Sequence, residues 1–352
     1  MMKLLAISDH YLPRKYMAAG LTSLAEYGID VTVFPWEHDT LEQLQEANLK
    51  VELGGPEAIT LPEELYESVG QYDIVVAQFA PLARRFFESA KRLKLLGILR
   101  GGMENVDVET ATKHNIPVFN TPGRNARAVA ECTIGLILAE VKNLARGHAA
   151  LKQGNWTRDF PNKNDIPELL DKTVGLIGFG AIGRLAAKFL LAFGAKVIVF
   201  DPYYQKGDEN VESVDLETLM RQSDVVSIHA RYLPETHHLV GREHLLMMKP
   251  TAILVNTARS GLVDEQALLD VLASRKIMGA ALDVFDDEPL KPDSPFLALD
   301  NVTIVPHLAG SSSDAFRNSP KIFSAHLIRC LLGEQNLPLV NSIVPLFPRK
   351  PE

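Results

Sequence analysis

The chain has 352 residues, 46% hydrophobic and 23% charged, enough to bury a large interior and to fold as two domains. Its formal net charge of -8 gives no general attraction to phosphate backbones or anionic membranes, which argues against a nucleic-acid partner. The two cysteines, Cys132 and Cys330, lack CxxC spacing, so neither a disulfide framework nor a thiolate metal cage is indicated. Both thiols are expected to be buried and reduced.

The opening run Lys3 to Ser8 is too short for the apolar segment of a secretory signal and fits a first buried strand. No apolar run approaches the roughly 20 residues of a membrane span, and these absences favour a cytoplasmic protein. Short β-branched runs predict strands at Leu4–Ile7, Val31–Phe34, Ile74–Ala77 and Leu95–Leu99, with helices at Leu12–Tyr27 and Leu82–Lys91. Such alternation implies a parallel sheet wrapped by helices. Thr121-Pro-Gly-Arg-Asn125 predicts a turn in which Asn125 caps a long amphipathic helix reaching about Ala145. From Thr173 the pattern restarts, with strands at Val174–Ile177, Val197–Phe200, Val225–Ile228, Ala252–Val255, Gly279–Leu282 and Val302–Val305. A last helix over Phe316–Leu332 and a Pro-rich tail, Leu337–Glu352, close the chain.

Within the second pattern, Gly178-Phe-Gly180-Ala-Ile-Gly183 lies between a strand and a helix starting near Ala181. Gly178 allows a tight turn, Gly180 admits a pyrophosphate to the backbone, and Gly183 lets helix and strand pack closely. Asp201 follows the next strand, 18 residues beyond Gly183, where a carboxylate can accept hydrogen bonds from ribose hydroxyls. Its charge opposes a 2'-phosphate, so NAD is expected over NADP. No GxxxxGK[ST] loop is present to suggest nucleotide hydrolysis.

Three later segments each follow a predicted strand: Leu254 to Asp264 with Arg259, Ala281 to Pro289 with Asp283 and Glu288, and Val305 to Gly310 with His307. In an open parallel sheet, such loops gather at the carboxyl edge, where ligands bind. Together with Arg100-Gly-Gly-Met-Glu-Asn-Val-Asp107, Ile116 to Gly123, Val129-Ala-Glu131, Gly154-Asn-Trp156, His229 to Thr236 and Met248-Lys-Pro250, they resemble the D-isomer-specific 2-hydroxyacid dehydrogenases. That family includes phosphoglycerate, glycerate and D-lactate dehydrogenases and glyoxylate reductases, and the resemblance covers nearly the whole chain.

The resemblance implies an α/β protein of two doubly wound parallel-sheet domains joined by hinge helices. Residues 1–122 with 311–352 would form a discontinuous, flavodoxin-like substrate domain, and 123–310 a Rossmann NAD-binding domain. It implies a homodimer and NAD-dependent interconversion of a small D-2-hydroxy acid and its 2-keto acid. Arg259 would clamp the substrate carboxylate and carbonyl oxygen, since a planar guanidinium binds two oxygens at fixed geometry. His307 would be general acid in reduction and base in oxidation, and Glu288 would orient its ring and favour the protonated form. The amides of Gly101, Gly102 and Met103 would form a second carboxylate-binding loop, with Arg100 beside it. Asp283 would meet the nicotinamide carboxamide. Ala181, Ile182, His229, Ala230, Arg231, Thr236, Thr257, Ala258, His307 and Gly310 would line the cofactor cleft.

Arg231 stands where the family commonly has Pro, and Ala309-Gly310 where it commonly has Gly-Gly. Arg231 is either a solvated loop residue or a contact to cofactor or substrate. Arg100 is a candidate for holding an extra anionic or hydroxylated end of the substrate. His237, His238 and His244 lack HExxH spacing and are expected as exposed helix residues, so no metal is expected. Two other functions remain open: an NAD(H)-binding interaction or regulatory protein with weak dehydrogenase activity, and a formate dehydrogenase, whose related site pairs the His with Gln.

Overall fold

Leu4, Leu5, Ala6 and Ile7 are all buried, a continuous apolar run suited to a strand covered on both faces. They lie in β1 (Met2–Ser8), which pairs in parallel with β2 (Ile29–Pro35) and β3 (Ile74–Ala77). With β4 (Leu95–Ile98) and β5 (Val118–Asn120) the sheet order is β2-β1-β3-β4-β5, the flavodoxin-like doubly wound order. Helices α1 (Arg14–Leu21), α2 (Leu41–Gly54), α3 (Glu63–Val69), α4 (Arg84–Ser89) and α5 (Val108–Lys113) make the crossovers. Helix α1 is shorter than its apolar pattern suggests: Pro13 precedes it, and Thr22–Tyr27 tightens into a 3-10 helix closed by Gly28 at φ 72°.

The structure is a computed structural model and describes residues 1–164, 166–204, 210–334, 337–345 and 347. The chain forms two units, a first of Met1–Arg124 with Ser312–Glu352 and a second of Asn125–Ser311. In the second, α6 (Ala126–Val141) and α7 (Leu144–Lys152) precede a seven-stranded parallel sheet. Its strands are β6 (Thr173–Ile177), β7 (Lys196–Phe200), β8 (Val211–Ser213), β9 (Val225–Ile228), β10 (Ile253–Asn256), β11 (Gly279–Leu282) and β12 (Val302–Ile304), ordered β12-β11-β10-β9-β6-β7-β8. Helices α8 (Ala181–Ala192), α9 (Leu216–Gln222), α10 (Arg242–Met247) and α11 (Glu265–Ala273) link them. The order reverses between β6 and β9, the Rossmann arrangement extended by one strand.

Register explains why distant residues can serve one site. Phe200, Ile177, Ile228, Asn256, Leu282 and Ile304 pair in succession across the second sheet. Gly178, Asp201, His229, Thr257 and Asp283 each come directly after a member of that row, and His307 follows three residues after Ile304. In the first sheet the corresponding row is Phe34, Ile7, Ala77, Ile98 and Asn120.

Helix α12 (Ser313–Leu331) returns to the first unit and buries Phe323 and Leu327 with Leu4, Met17 and Leu21 of that unit. It carries Pro320, and a Cβ at Gly20 would lie 2.6 Å from the Pro320 Cβ, so the small residue lets α1 and α12 approach. The Ser324 hydroxyl donates to the Gly20 carbonyl at 2.9 Å.

Several expectations need correction. The long helix after Asn125 breaks at Asn143, whose φ of 56° is left-handed and whose amide donates to Asn162 at 2.6 Å. Asn125 makes no side-chain cap bond; its side chain lies against Gly310 instead. Cys330 is buried but Cys132 is only half-buried. His237 and His238 lie outside any helix, their rings stacked at 3.8 Å, and only His244 is helical. Of the Pro-rich tail, Leu339 bridges to Phe119, while residues 346 and 348–352 fall outside those described. Among the described residues no helix is long and apolar enough to cross a membrane.

Candidate active site

The glycine-rich turn after β6 is held by backbone and carboxylate together. The Gly178 amide donates to the Phe200 carbonyl at 2.8 Å, and the Phe179 amide to Asp201 Oδ2 at 2.7 Å. Gly178 has φ 96°, and a Cβ there would lie 2.6 Å from the Ala230 nitrogen. A Cβ at Gly183 would collide with the Gly178 carbonyl oxygen, so helix and turn meet only because position 183 lacks a side chain. At Gly180 nothing lies within 4 Å of where a Cβ would be, and no side chain caps α8. The first amides of that helix, including those of Ala181 and Ile182, therefore face open space at its positive end. This cradle fits a dinucleotide's phosphates.

Asp201 is also bound through Oδ1 to the Tyr203 amide at 2.8 Å. Each carboxylate oxygen retains a further lone pair for a ligand hydroxyl. On the other side of the reversal, the His229 amide donates to Ile177 at 2.7 Å and its Nε2 meets the Ser227 hydroxyl at 3.0 Å. Burial pulls this imidazole down to about 4, which keeps it neutral at pH 7. Its Nδ1 has no partner among the described residues, an orphaned polar atom beside the same cradle.

Asn256 ends β10 and staples the next loop: its Oδ1 accepts from the Ala258 amide at 3.0 Å and its Nδ2 donates to the Arg259 carbonyl at 2.9 Å. The Thr257 hydroxyl meets that of Thr133 at 2.8 Å; Thr133 itself donates to the Val129 carbonyl, which leaves Thr257 as donor. Arg259 is exposed, with Nη1 on the Ala258 carbonyl at 2.7 Å. It makes no hydrogen bond or ion pair with Glu288 or His307 among the described residues.

Glu288 and His307 are in contact, Oε2 to Nδ1 at 2.7 Å, while Glu288 Oε1 accepts from the Phe285 amide at 3.0 Å. An ionised carboxylate only accepts, so Nδ1 carries the hydrogen and Nε2 is the ring atom left to exchange a proton. His307 sits at φ 47°, in the left-handed region that few residues other than glycine adopt. The residues after it are fixed by Asp283, whose two oxygens accept from the Leu308 and Ala309 amides at 2.6 and 3.0 Å. Asp283 is buried, and burial pushes its carboxyl above the usual carboxylate range despite those bonds. A Cβ at Gly310 would lie 2.6 Å from the Asn125 amide nitrogen.

The 231–236 loop is closed on itself: the Thr236 hydroxyl donates to the Arg231 carbonyl and accepts from the Leu233 amide. Ala230 is half-buried and Arg231 is exposed. In the first unit, Arg100 lies over the Phe79 ring at 4.1 Å and faces Glu104 at 3.2 Å. The Gly101 carbonyl accepts from Asn120 at 2.9 Å, a Cβ at Gly101 would have only Pro122 within 4 Å, and Met103 packs on the first unit's core. Sequence inspection passed over Asn256, Thr133 and Ser227; the one signal for Asn256 is a polar residue directly after an apolar strand.

A family model described as the D-isomer specific 2-hydroxyacid dehydrogenase NAD binding domain matches residues 134–309. The chain belongs to that family. The family is one of NAD-dependent oxidoreductases, and the matched span contains the glycine cradle, Arg259, Glu288 and His307. A hydroxypyruvate reductase of Thermotoga maritima is 41% identical over 258 residues, 72% of this chain and 83% of that one. A D-3-phosphoglycerate dehydrogenase of Methanocaldococcus jannaschii is 38% identical over 320 residues, 88% of this chain but only 60% of the relative's length. Among solved structures, a D-2-hydroxyisocaproate dehydrogenase aligns with a TM-score of 0.72 at 28% identity, covering 96% of this chain and 99% of that one. Among the described residues no cluster of His, Cys, Asp or Glu is arranged to hold a metal.

Proposed function

We propose that the protein is an NAD-dependent dehydrogenase interconverting a small D-2-hydroxy acid and its 2-keto acid, with His307 as the proton-transferring residue. The observation that carries this is the 2.7 Å Glu288–His307 pair on loops leaving the sheet edge that also bears the glycine cradle. Held in the cradle, the cofactor would supply a hydride as NADH in reduction and take one up as NAD+ in oxidation. The chain's own work is to hold the acid and to move the proton. Glu288 fixes the ring so that His307 Nε2 donates to the forming hydroxyl in reduction and takes the proton back in oxidation. Arg259, on the stapled turn after β10, orients the acid through its carboxylate. The amides of Gly101, Gly102 and Met103 supply further donors to it.

The cofactor's ribose would fall to Asp201, whose charge favours NAD over NADP. His229, Ala230, Arg231, Thr236, Thr257, Ala258 and Gly310 would surround it, with Asp283 tying the His307 loop in place. The first unit would then be the substrate domain and the second the dinucleotide domain. We also read the protein as a cytoplasmic homodimer. Support for the dimer is apolar exposure in the second unit: Leu144 and Leu151, one helical face of α7, and Trp156, 82% exposed. The activity is tested by following NADH absorbance with glyoxylate, hydroxypyruvate, pyruvate, branched keto acids and phosphohydroxypyruvate. Consumption with at least one acid is expected; none with any acid overturns the reading.

A further inference from the structure

Nine buried side-chain polar atoms have no hydrogen-bond partner among the described residues, and four of them belong to residues lining one cavity of the first unit. They are Arg100 Nη1, Arg124 Nη1, Asn48 Oδ1 and Gln78 Oε1. An unpartnered buried polar atom costs stability, and such atoms in a native fold call for a ligand, water or ion. The cavity measures about 390 Å³, within the range of small-molecule sites, about 300 to 1,000 Å³.

The side chains that carry the four atoms indicate what the cavity would bind. Two are guanidinium donors carrying positive charge, which select an oxyanion. Two are amide oxygens, which accept from hydroxyl groups. Arg100 spends its other terminal nitrogen on Glu104 at 3.2 Å and Glu52 at 3.6 Å, leaving Nη1. Arg124 rests on the Phe316 ring at 4.4 Å and has no ion pair among the described residues. Burial and the neighbouring Arg100 charge pull Arg124 down to about 10, a strain that a bound anion would relieve. Asp9, the carboxyl near Arg124, has both its backbone bonds made, to Leu12 and Tyr11, and burial raises it to about 6. The cavity also lies where a ligand belongs in this sheet: Gln78 directly follows Ala77 at the end of β3, beside β1, where the strand order reverses.

Resting on the activity proposed above, we propose that this cavity is a subsite for the far end of the acid, a hydroxylated chain ending in a second oxyanion, carboxylate or phosphate. Its head would lie at the Gly101–Gly102 turn that directly follows Arg100.

The test uses the full chain loaded with NADH, under which hydroxy acids bind without being oxidised. Calorimetric titration compares glycolate, which has no tail, with tartrate, whose tail carries a hydroxyl and a carboxylate, and 3-phosphoglycerate, whose tail ends in a phosphate. At least one tailed acid should bind tenfold or more tightly than glycolate, and which one does identifies the oxyanion. Arg124→Gln should remove that advantage. Asn48→Leu, on the partly exposed face of α2, should reduce the tartrate advantage about threefold. Equal binding of all three acids, or an advantage unchanged in both variants, overturns the subsite. If no keto acid consumes NADH while the tail advantage persists and is lost in Arg124→Gln, the subsite stands and the activity falls; consumption without any tail advantage does the reverse.

Discussion

Past the row Phe34, Ile7, Ala77, Ile98 and Asn120 the first unit leaves its sheet through Asp9, Gln78, Arg100 and Arg124. Past its own row the second leaves through Gly178, Asp201, His229, Asp283 and His307. The scaffolds are alike, parallel and wound in both directions, but the polar groups at their edges differ, with the unpartnered His229 Nδ1 of the second and the bonded Asp9 of the first as exceptions. In the second unit the carboxylates are already engaged: Asp201 on two amides, Asp283 on two, Glu288 on an amide and on His307. In the first, Arg100, Arg124 and Gln78 each keep a buried atom without a partner. On the proposed function, a site that meets the same cofactor at every turnover would be finished in advance, whereas one that sorts acids would keep bonds for the acid to complete.

The contrast breaks most visibly at His307. His307→Ala should lower keto-acid-dependent NADH oxidation roughly a hundred- to ten-thousand-fold while NADH affinity, measured by fluorescence titration, changes little. Wild-type turnover in that variant would move the proton transfer elsewhere.

The glycines give a second contrast. Gly178→Ala places a Cβ at a left-handed φ and against the Ala230 backbone, so about 1–3 kcal/mol of stability should be lost and NADH binding weakened. Gly101→Ala meets only Pro122, at 3.9 Å, and its melting temperature should stay near wild type. Equal melting shifts for the two would contradict this difference.

The pH dependence of stability sharpens it further. Asp9 rises from 3.8 to about 6 on folding, so the folded state binds more protons and stability falls as pH rises across that interval, by at most about 3 kcal/mol. His229 falls from 6.5 to about 4, so the unfolded state binds more protons, and a similar amount is lost as pH falls from 6.5 to 4. The two slopes oppose each other in the wild type. Urea unfolding of Asp9→Asn should unmask stability that rises with pH between 4 and 6, and His229→Gln stability that falls. Profiles that match the wild type in both variants would show that neither group is shifted by its burial.

The smallest effect is expected at Asp201. Asp201→Asn keeps an acceptor but removes the charge, so the preference for NADH over NADPH in kcat/KM should drop about tenfold, roughly 1.4 kcal/mol. An unchanged ratio would remove the ribose from its role.

The second unit was the more legible in sequence for a physical reason. A glycine cradle needs residues without side chains at fixed spacing, so Gly178, Gly180 and Gly183 announce it, and strands buried on both faces read as apolar runs, as at Val225–Ile228. Helices α2, α3 and α5 left weaker patterns and were not anticipated. The break at Asn143 was hidden because apolar periodicity continues through Leu144, and only the left-handed backbone reveals it. The cavity of the first unit was hidden more deeply. Arg124 reads as a turn residue and Gln78 as a strand end; their shared property, a buried atom without a partner, exists only once β1, β3, β4 and α2 are assembled.

The most direct measurement is transfer of deuterium from C4-deuterated NADH to carbon 2 of the acid, followed by mass spectrometry and chiral analysis of the product. A D-2-hydroxy acid carrying one deuterium at that carbon is expected with the wild type, at a rate that collapses in His307→Ala. Tight NADH binding with no deuterium appearing in any of the keto acids would contradict it, and would instead make the chain a binding protein on a dehydrogenase fold.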